Sequence, residues 1–134
     1  MRAWQVHAVG QPTEVMRAGD ATLPPLGPGE MRVKVAAACL GLPDYFMCTA
    51  EYPATPQSRP FTPGQEVVGT VVETASDVAT PVGTRVVGMT DFWRGLGSLA
   101  EECIVRDDEV NPAPAFIDDA AAARLRIAYH TGWL

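Results

Sequence analysis

Gln65 and Glu66 stand at the head of an apolar run in FTPGQEVVGTVVE, Phe61 to Glu73. An amide beside a carboxylate at such a place has three readings: an acid/base group, a metal ligand, or polar residues where a strand begins. The other groups able to do chemistry are dispersed. The pairs Glu101–Glu102, Asp107–Asp108 and Asp118–Asp119 resemble carboxylate dyads, but neighbours on a strand point to opposite faces. They read as surface charge and a helix cap. His7 and His130 lie at opposite ends of the chain, neither with a partner nearby in sequence. GLGSLA, Gly95 to Ala100, has the form G-x-G-x-x-[GA], which grips a pyrophosphate only between a strand and a helix. Here TDFWR precedes it and strand-like LAEECIV follows, so it reads as a glycine loop entering a strand. Cys39, Cys48 and Cys103 are odd in number and have neither C-x-x-C spacing nor the density of a disulfide scaffold, which predicts reduced thiols filling the core.

The elements that must position these groups are mostly strands. Trp4, Val6 and Ala8 alternate with Ala3, Gln5 and His7, which predicts a half-buried strand closed by the Gly10-Gln11-Pro12 turn. After the turn cluster LPPLGPGE, Met31, Val33, Val35 and Ala37 alternate with Arg32 and Lys34 as a second strand. Pro43 opens a short helix reaching Thr49. The four prolines of YPATPQSRPFTPG, from Pro53 to Pro63, enforce a long loop, and long ordered loops in compact domains tend to carry function. Three more strands are expected over Glu66–Glu73, Thr84–Met89 and Leu99–Val105, at the spacing of a barrel or sandwich and without βαβ alternation. Asp118 caps a closing helix with Ala121, Leu125 and Ala128 along one face. That helix also carries Ile127, Tyr129, Trp133 and Leu134, too much apolar circumference to lie uncovered in water.

At 134 residues the chain is one domain's worth and buries roughly two-thirds of its unfolded surface. With 47% apolar residues, 19% charged, and twelve each of Gly and Pro, it is globular and turn-rich rather than disordered. The net charge of -6, with ten scattered Lys and Arg, leaves no basic face for nucleic acid or an anionic membrane. No apolar window reaches the roughly 20 residues of a membrane helix, and MRAWQVHAVG lacks a signal peptide's apolar core, so the cytoplasm is the expected compartment.

Taken in order, V-K-V-A-A-A, P-D-Y, Tyr52, P-G-x-E-V-x-G-x-V-V-E, V-G-x-R-V-x-G, G-x-L-A-E and A-Y-x-T-G-W resemble the N-terminal portion of medium-chain dehydrogenase/reductases. The resemblance spans essentially the whole chain and is greatest to the quinone oxidoreductase and enoyl reductase branch. It implies a mainly β fold with short helices: a GroES-like, partly open β-barrel over residues 1–117, and a junction helix over 118–134. In complete members that helix leads into a Rossmann domain binding NADPH or NADH, and no such domain is expected within these residues.

The resemblance also sorts the opening stretch. Zinc-dependent alcohol dehydrogenases carry G-H-E where this chain has Gly64-Gln65-Glu66, and their histidine ligates catalytic zinc. Their cysteine ligand, three residues before an aspartate, falls on Gly41 counting back from Asp44, with Cys39 two residues off register. A tetrahedral catalytic zinc needs three protein ligands, so no metal site is expected.

Without a Lewis acid, hydride transfer suits conjugated acceptors, quinones or α,β-unsaturated carbonyls, whose developing enolate oxygen hydrogen bonds can stabilise. Tyr52 matches a tyrosine that related reductases place beside the nicotinamide, and a phenol of pKa ~10 donates at neutral pH. Its competing role is packing against Pro53. Thr131 and Gly41 fall where relatives approach the cofactor, Gly41 replacing a common asparagine. Further departures are Thr84 in V-G-D-R-V, Glu102 in G-x-x-A-E-Y, and Arg124 and Arg126 in the run before A-Y.

Two functions follow. One is the substrate-side domain of an NAD(P)H-dependent, zinc-independent oxidoreductase acting on a small quinone or enone, incomplete without its Rossmann domain. The alternative is a non-catalytic GroES-like binding or assembly module, self-associating as a homodimer through its C-terminal helix.

Overall fold

The computed structural model describes residues 1–134, beginning with strand β1 (Arg2–Val6), one helical turn α1 (Pro12–Val15) and strand β2 (Met16–Asp20). β1 and β2 pair antiparallel from Arg2↔Asp20 to Val6↔Met16. The first strand ends two residues before Ala8, and the buried residues are Ala3 and Val6 while Trp4 is half exposed. Of the expected inward face Trp4, Val6 and Ala8 only Val6 is buried, and Ala3 of the opposite set is buried with it. β1 bridges to two separate segments, Ala3 to Ala100 and Val6 to Phe61, which breaks the period of two. β2 was not foreseen, because MRAGD has no apolar alternation and forms only by pairing with β1.

Next come β3 (Glu30–Cys39), α2 (Leu42–Thr49), β4 (Glu66–Thr74), β5 (Arg85–Thr90), a 3₁₀ turn over Phe92–Arg94, and β6 (Glu102–Pro112). All four strands pair antiparallel in the ring order β3–β4–β5–β6. β3 takes the first half of β6, Glu30↔Arg106 to Lys34↔Glu102, whereas β5 takes its far end, Val86↔Pro112 to Gly88↔Val110. On β5 the register jumps between Gly88 and Thr90, whose partner is Val105, so the β5–β6 seam is interrupted and the barrel is partly open. The expected GroES-like architecture is what forms, with β6 running well beyond the predicted strand.

Met31 and Val33 of β3, Val67 and Val71 of β4, Val86 of β5, and Cys103 and Val105 of β6 fill the barrel interior. Each fully buried valine contributes about 1.5–3 kcal/mol. A second cluster, including Val6, Met47, Phe61 and Phe92, joins the N-terminal strand to α2. Val68 and Val87 turn outward beneath Ala122 and Ala123, which explains why β4 reads as a continuous apolar run. At Gly69 the backbone of β3 comes so close that a Cβ would overlap the Lys34 carbonyl oxygen.

The closing helix is broken. α3 (Asp119–Ala122) is capped by the Asp118 carboxylate, which accepts from the Ala121 amide at 2.7 Å. A π-helical turn over Leu125–Tyr129 then precedes α4 (His130–Trp133). The fully buried residues are Ala122 and Ala123; of the expected face, Ala121 is half-buried, Leu125 packs partly on the same cluster, and Ala128, inside the wider turn, is carried off the α-helical period and exposed. Arg85 anchors the segment, its Nε and Nη2 reaching Asp119 at 2.9 and 2.7 Å and its Nη1 and Nη2 donating to the carbonyls of Pro114 and Ile117.

One guanidinium serves two buried carboxylates: Arg94 donates to both Glu30 and Asp91. Burial pushes the Glu30 carboxyl up, but the Gly27 amide and Arg94 outweigh it and hold it below the ordinary value. Asp91, 2% exposed, stays above its ordinary value because desolvation wins over Arg94. Arg94→Ala is expected to lower the unfolding free energy by about 1–3 kcal/mol at pH 7, less than for a fully buried pair because Arg94 is half exposed. Removing the cation raises both carboxyl pKa values, so the loss shrinks as they protonate toward pH 4. Urea unfolding at the two pH values checks this, and a loss undiminished at pH 4 would assign Arg94 a packing role instead.

Candidate functional site

α2 is positioned by its own third residue. The Asp44 carboxylate reaches back to the Gly41 amide at 2.8 Å and, with its other oxygen, accepts from the Gly64 amide at 2.9 Å. Burial raises the Asp44 pKa against the opposing pull of these amides. The clamp ties the helix N-terminus to the Gly64-Gln65-Glu66 segment. Gly64 has φ +107°, and a Cβ there would press on the Ser98 and Leu99 amide nitrogens at 2.8 Å. The spacing of Gly41 and Asp44, N-cap to third residue, was the available sequence signal for this clamp.

Gln65 is buried, its side-chain Nε2 lying 3.9 Å from the Met47 sulfur. Glu66, also buried, accepts from the Ile127 amide at 2.6 Å, which joins the head of β4 to the π-helical turn. Burial pushes the Glu66 carboxyl up despite the Ile127 amide and the Cys39 thiol beside it. Burial and the Glu66 charge likewise keep Cys39 protonated. At the two positions where zinc-dependent relatives hold ligands, this chain therefore offers a glycine and a buried amide, with a thiol nearby. That donor set does not fit catalytic zinc.

The GLGSLA loop is not a phosphate cradle. The Gly97, Ser98 and Leu99 amides donate to the carbonyls of Thr62, Gly64 and Pro63, leaving no fan of free amides.

Tyr52, Gly41 and Thr131 do not share a groove. Gly41 borders an apolar cleft of about 610 Å³ that also takes in Trp4, Asp44, Tyr45 and Leu99. Tyr52 lines a separate groove of about 340 Å³ with Thr55, Gln57 and Arg59. Thr131 is exposed on α4 and lines neither. Tyr52 is held at both ends: its carbonyl accepts from the Thr55 amide and hydroxyl, and its ring leans on Phe92 at 6.3 Å between centroids. Its hydroxyl has no partner within the chain. Two departures from the family pattern are ion-paired, Glu102 with Arg32 at 3.8 Å and Arg126 with Glu109 at 3.3 Å. Sequence reasoning missed Arg59, whose cavity-lining place follows from the loop path rather than from any local pattern.

Glu66 gives this region a pH dependence. A carboxyl whose folded pKa lies above its ordinary 4.5 favours the protonated folded state. The wild-type chain therefore loses stability as pH rises from about 4.5 through the folded value. Glu66→Gln, which keeps an acceptor for Ile127, is expected to lack this loss. The stability difference, wild type minus variant, should fall over that window in denaturant titrations. A constant difference would mean that Glu66 is not destabilised by ionising.

A family model described as the alcohol dehydrogenase GroES-like domain matches residues 27–115. The chain is 36% identical to quinone oxidoreductase-like protein 2 of Rattus norvegicus over 111 residues, 82% of this chain and 30% of that protein. Its fold superposes on the quinone oxidoreductase of Coxiella burnetii with a TM-score of 0.88 at 26% identity, covering 96% of this chain and 41% of the other. The Escherichia coli quinone oxidoreductase complexed with NADPH gives a TM-score of 0.77 at 26% identity, covering 92% and 36%. The chain thus spans about a third of the length of these relatives. Its ordered motifs and its partly open barrel meet in one assignment: the chain belongs to the alcohol dehydrogenase GroES-like domain family, within the medium-chain dehydrogenase/reductases.

Proposed function

We propose that the chain is the substrate-side domain of an NAD(P)H-dependent, zinc-independent oxidoreductase that reduces quinones or α,β-unsaturated carbonyl compounds. Residues 1–117 form the substrate-side barrel and 118–134 the junction to a cofactor-binding domain supplied by the same or another chain. The observation that carries the reading is Tyr52: a ring fixed by its loop and by Phe92, with an unpartnered phenol in a groove, on a chain similar to proteins named quinone oxidoreductases. The poor zinc fit of Gly41 and Gln65 supports the zinc-free branch.

A bound nicotinamide supplies hydride. This chain's part is to hold the acceptor and to place the Tyr52 O–H on the oxygen that becomes anionic. Gly41, with no side chain, and the exposed Thr131 hydroxyl are the groups assigned to the nicotinamide side. No helix is long and apolar enough to cross a membrane. The cytoplasm is the proposed compartment, supported by three free cysteines, two of them buried.

A second reading rests on the C-terminal surface, where Tyr129, Trp133 and Leu134 are 64%, 88% and 94% exposed. Such an apolar face needs a cover. A cofactor domain would provide one, and a second copy of this chain, acting as a non-catalytic assembly module, would provide another. Sedimentation separates them: a stable homodimer weakened by Trp133→Ser favours assembly, and a monomer favours the enzyme.

The 134-residue chain alone is expected to oxidise no NAD(P)H with quinones or enones, since the donor and acceptor cannot both be positioned. Clear loss of absorbance at the reduced-nicotinamide band would overturn this. Combined with its cofactor domain, Tyr52→Phe is expected to lower kcat about ten- to a thousandfold. An unchanged kcat would leave Tyr52 a packing residue.

A further inference from the structure

Nearly every cation on this acidic chain has a carboxylate or open water. Of the ten Lys and Arg, Arg2, Arg32, Arg85, Arg94, Arg106 and Arg126 lie within 4.0 Å of an Asp or Glu oxygen. Arg17, Lys34 and Arg124 are exposed. Arg59 has no carboxylate and only partial access to water. It is half-buried, its Nε is buried without a hydrogen-bond partner, and it makes no ion pair. Its guanidinium lies 5.6 Å from the centre of the Phe61 ring, an attraction that satisfies no N–H. A desolvated guanidinium N–H left unpaired in a native fold calls for an absent partner.

The surroundings define that partner. Arg59 lines the 340 Å³ groove with Tyr52, Thr55 and Gln57, a size suited to a small molecule. The Thr55 hydroxyl and the Gln57 amide are already turned to backbone carbonyls, of Tyr52 and Thr55. Glu51, the one carboxylate lining the groove, accepts from the Thr49 hydroxyl at 2.6 Å rather than from Arg59. The uncommitted groups are two donors, the Tyr52 phenol and the Arg59 guanidinium. A planar guanidinium binds a carboxylate through two parallel N–H bonds.

We propose that Arg59 is a substrate-binding residue for a carboxylate, so that the acceptor reduced beside Tyr52 is an α,β-unsaturated carbonyl compound carrying a carboxylic acid. This rests on the proposed role of Tyr52. The phenol takes the carbonyl oxygen, Arg59 takes the acid, and the reducible double bond lies between them. Elsewhere the net charge of -6 disfavours an anionic ligand, so the local cation selects for acids over neutral enones.

The test uses the 134-residue chain, with trans-4-oxopent-2-enoate and its methyl ester as probes, read on the Arg59 side-chain Nε–H resonance and by titration. The acid is expected to shift that resonance and to bind at least about tenfold more tightly than the ester. Arg59→Gln should abolish the preference, Arg59→Lys should keep part of it, and Glu51→Gln should strengthen it, each with an unchanged backbone amide spectrum. Equal binding of acid and ester, or a preference surviving in Arg59→Gln, would overturn the proposal. So would inorganic phosphate competing as well as the acid, or an Arg59 resonance that follows the titration of Glu51. Because no turnover is required, failure of the oxidoreductase reading would show separately, as inactivity of the chain combined with its cofactor domain.

Discussion

The first half of strand β4, Glu66 to Gly69, is buried on both faces, and most of the molecule is arranged around that fact. Val67 and Val71 point into the barrel while Val68 points out beneath Ala122 and Ala123. A strand sitting between two apolar layers cannot slip by one residue without trading one set of contacts for the other. Its register on β3 and β5 is therefore firmly specified, and with it the place of the polar pair at its head. Gln65 and Glu66 enter the interior not as reagents but as fasteners. The Gln65 amide lies against the Met47 sulfur of α2, and the Glu66 carboxylate holds the Ile127 amide.

The two buried carboxylates of this region act as joints of different strength. Asp44 takes two backbone amides and links α2 to the Gly64 turn. Glu66 links the barrel to the π-helical turn, and its carboxyl is pushed up by the burial that makes the link possible. An amide bonded to a carboxylate need not follow the α-helical pattern, so the captured Ile127 N–H sits where the closing helix widens. Beyond Ala123 the closing segment is held by this polar contact more than by packing, since α4 buries no residue.

Much of this was legible because it depends on local pattern. The alternation of Met31, Val33 and Val35 gave β3, the apolar run after Glu66 gave β4, Pro43 the start of α2, the four prolines the loop, and Asp118 the cap. β2 was not legible, because MRAGD acquires strand geometry only from its pairing with β1. The far half of β6 was hidden in RDDEVNP, which has no apolar alternation and whose end pairs with β5 through Val110, Asn111 and Pro112. The broken closing helix escaped for the same reason: its cause, Glu66, lies 61 residues away. Of the site, Tyr52, Gly41 and Thr131 came from the family pattern alone. Arg59 came from neither source, since a half-buried cation without a carboxylate is recognised only once the fold shows which cations are ion-paired and which are exposed.

That distribution of charge separates scaffold from chemistry. Arg85 and Arg94 are committed to joints, the first fixing Asp119 and two carbonyls, the second gathering Glu30 and Asp91. Asp107 is likewise spent on the Ala79 amide and the Thr80 hydroxyl, and the hydroxyl holds its carboxyl below the ordinary value. One Asp91 oxygen apart, the carboxylates of these joints are satisfied by the chain. The Tyr52 phenol and the Arg59 guanidinium rest on the Phe92 and Phe61 rings but keep unused hydrogen-bonding capacity beside a groove, which leaves those donors for a ligand of the proposed kind. Their position on a loop that a rigid barrel and α2 hold in place is where specificity can vary without disturbing the core.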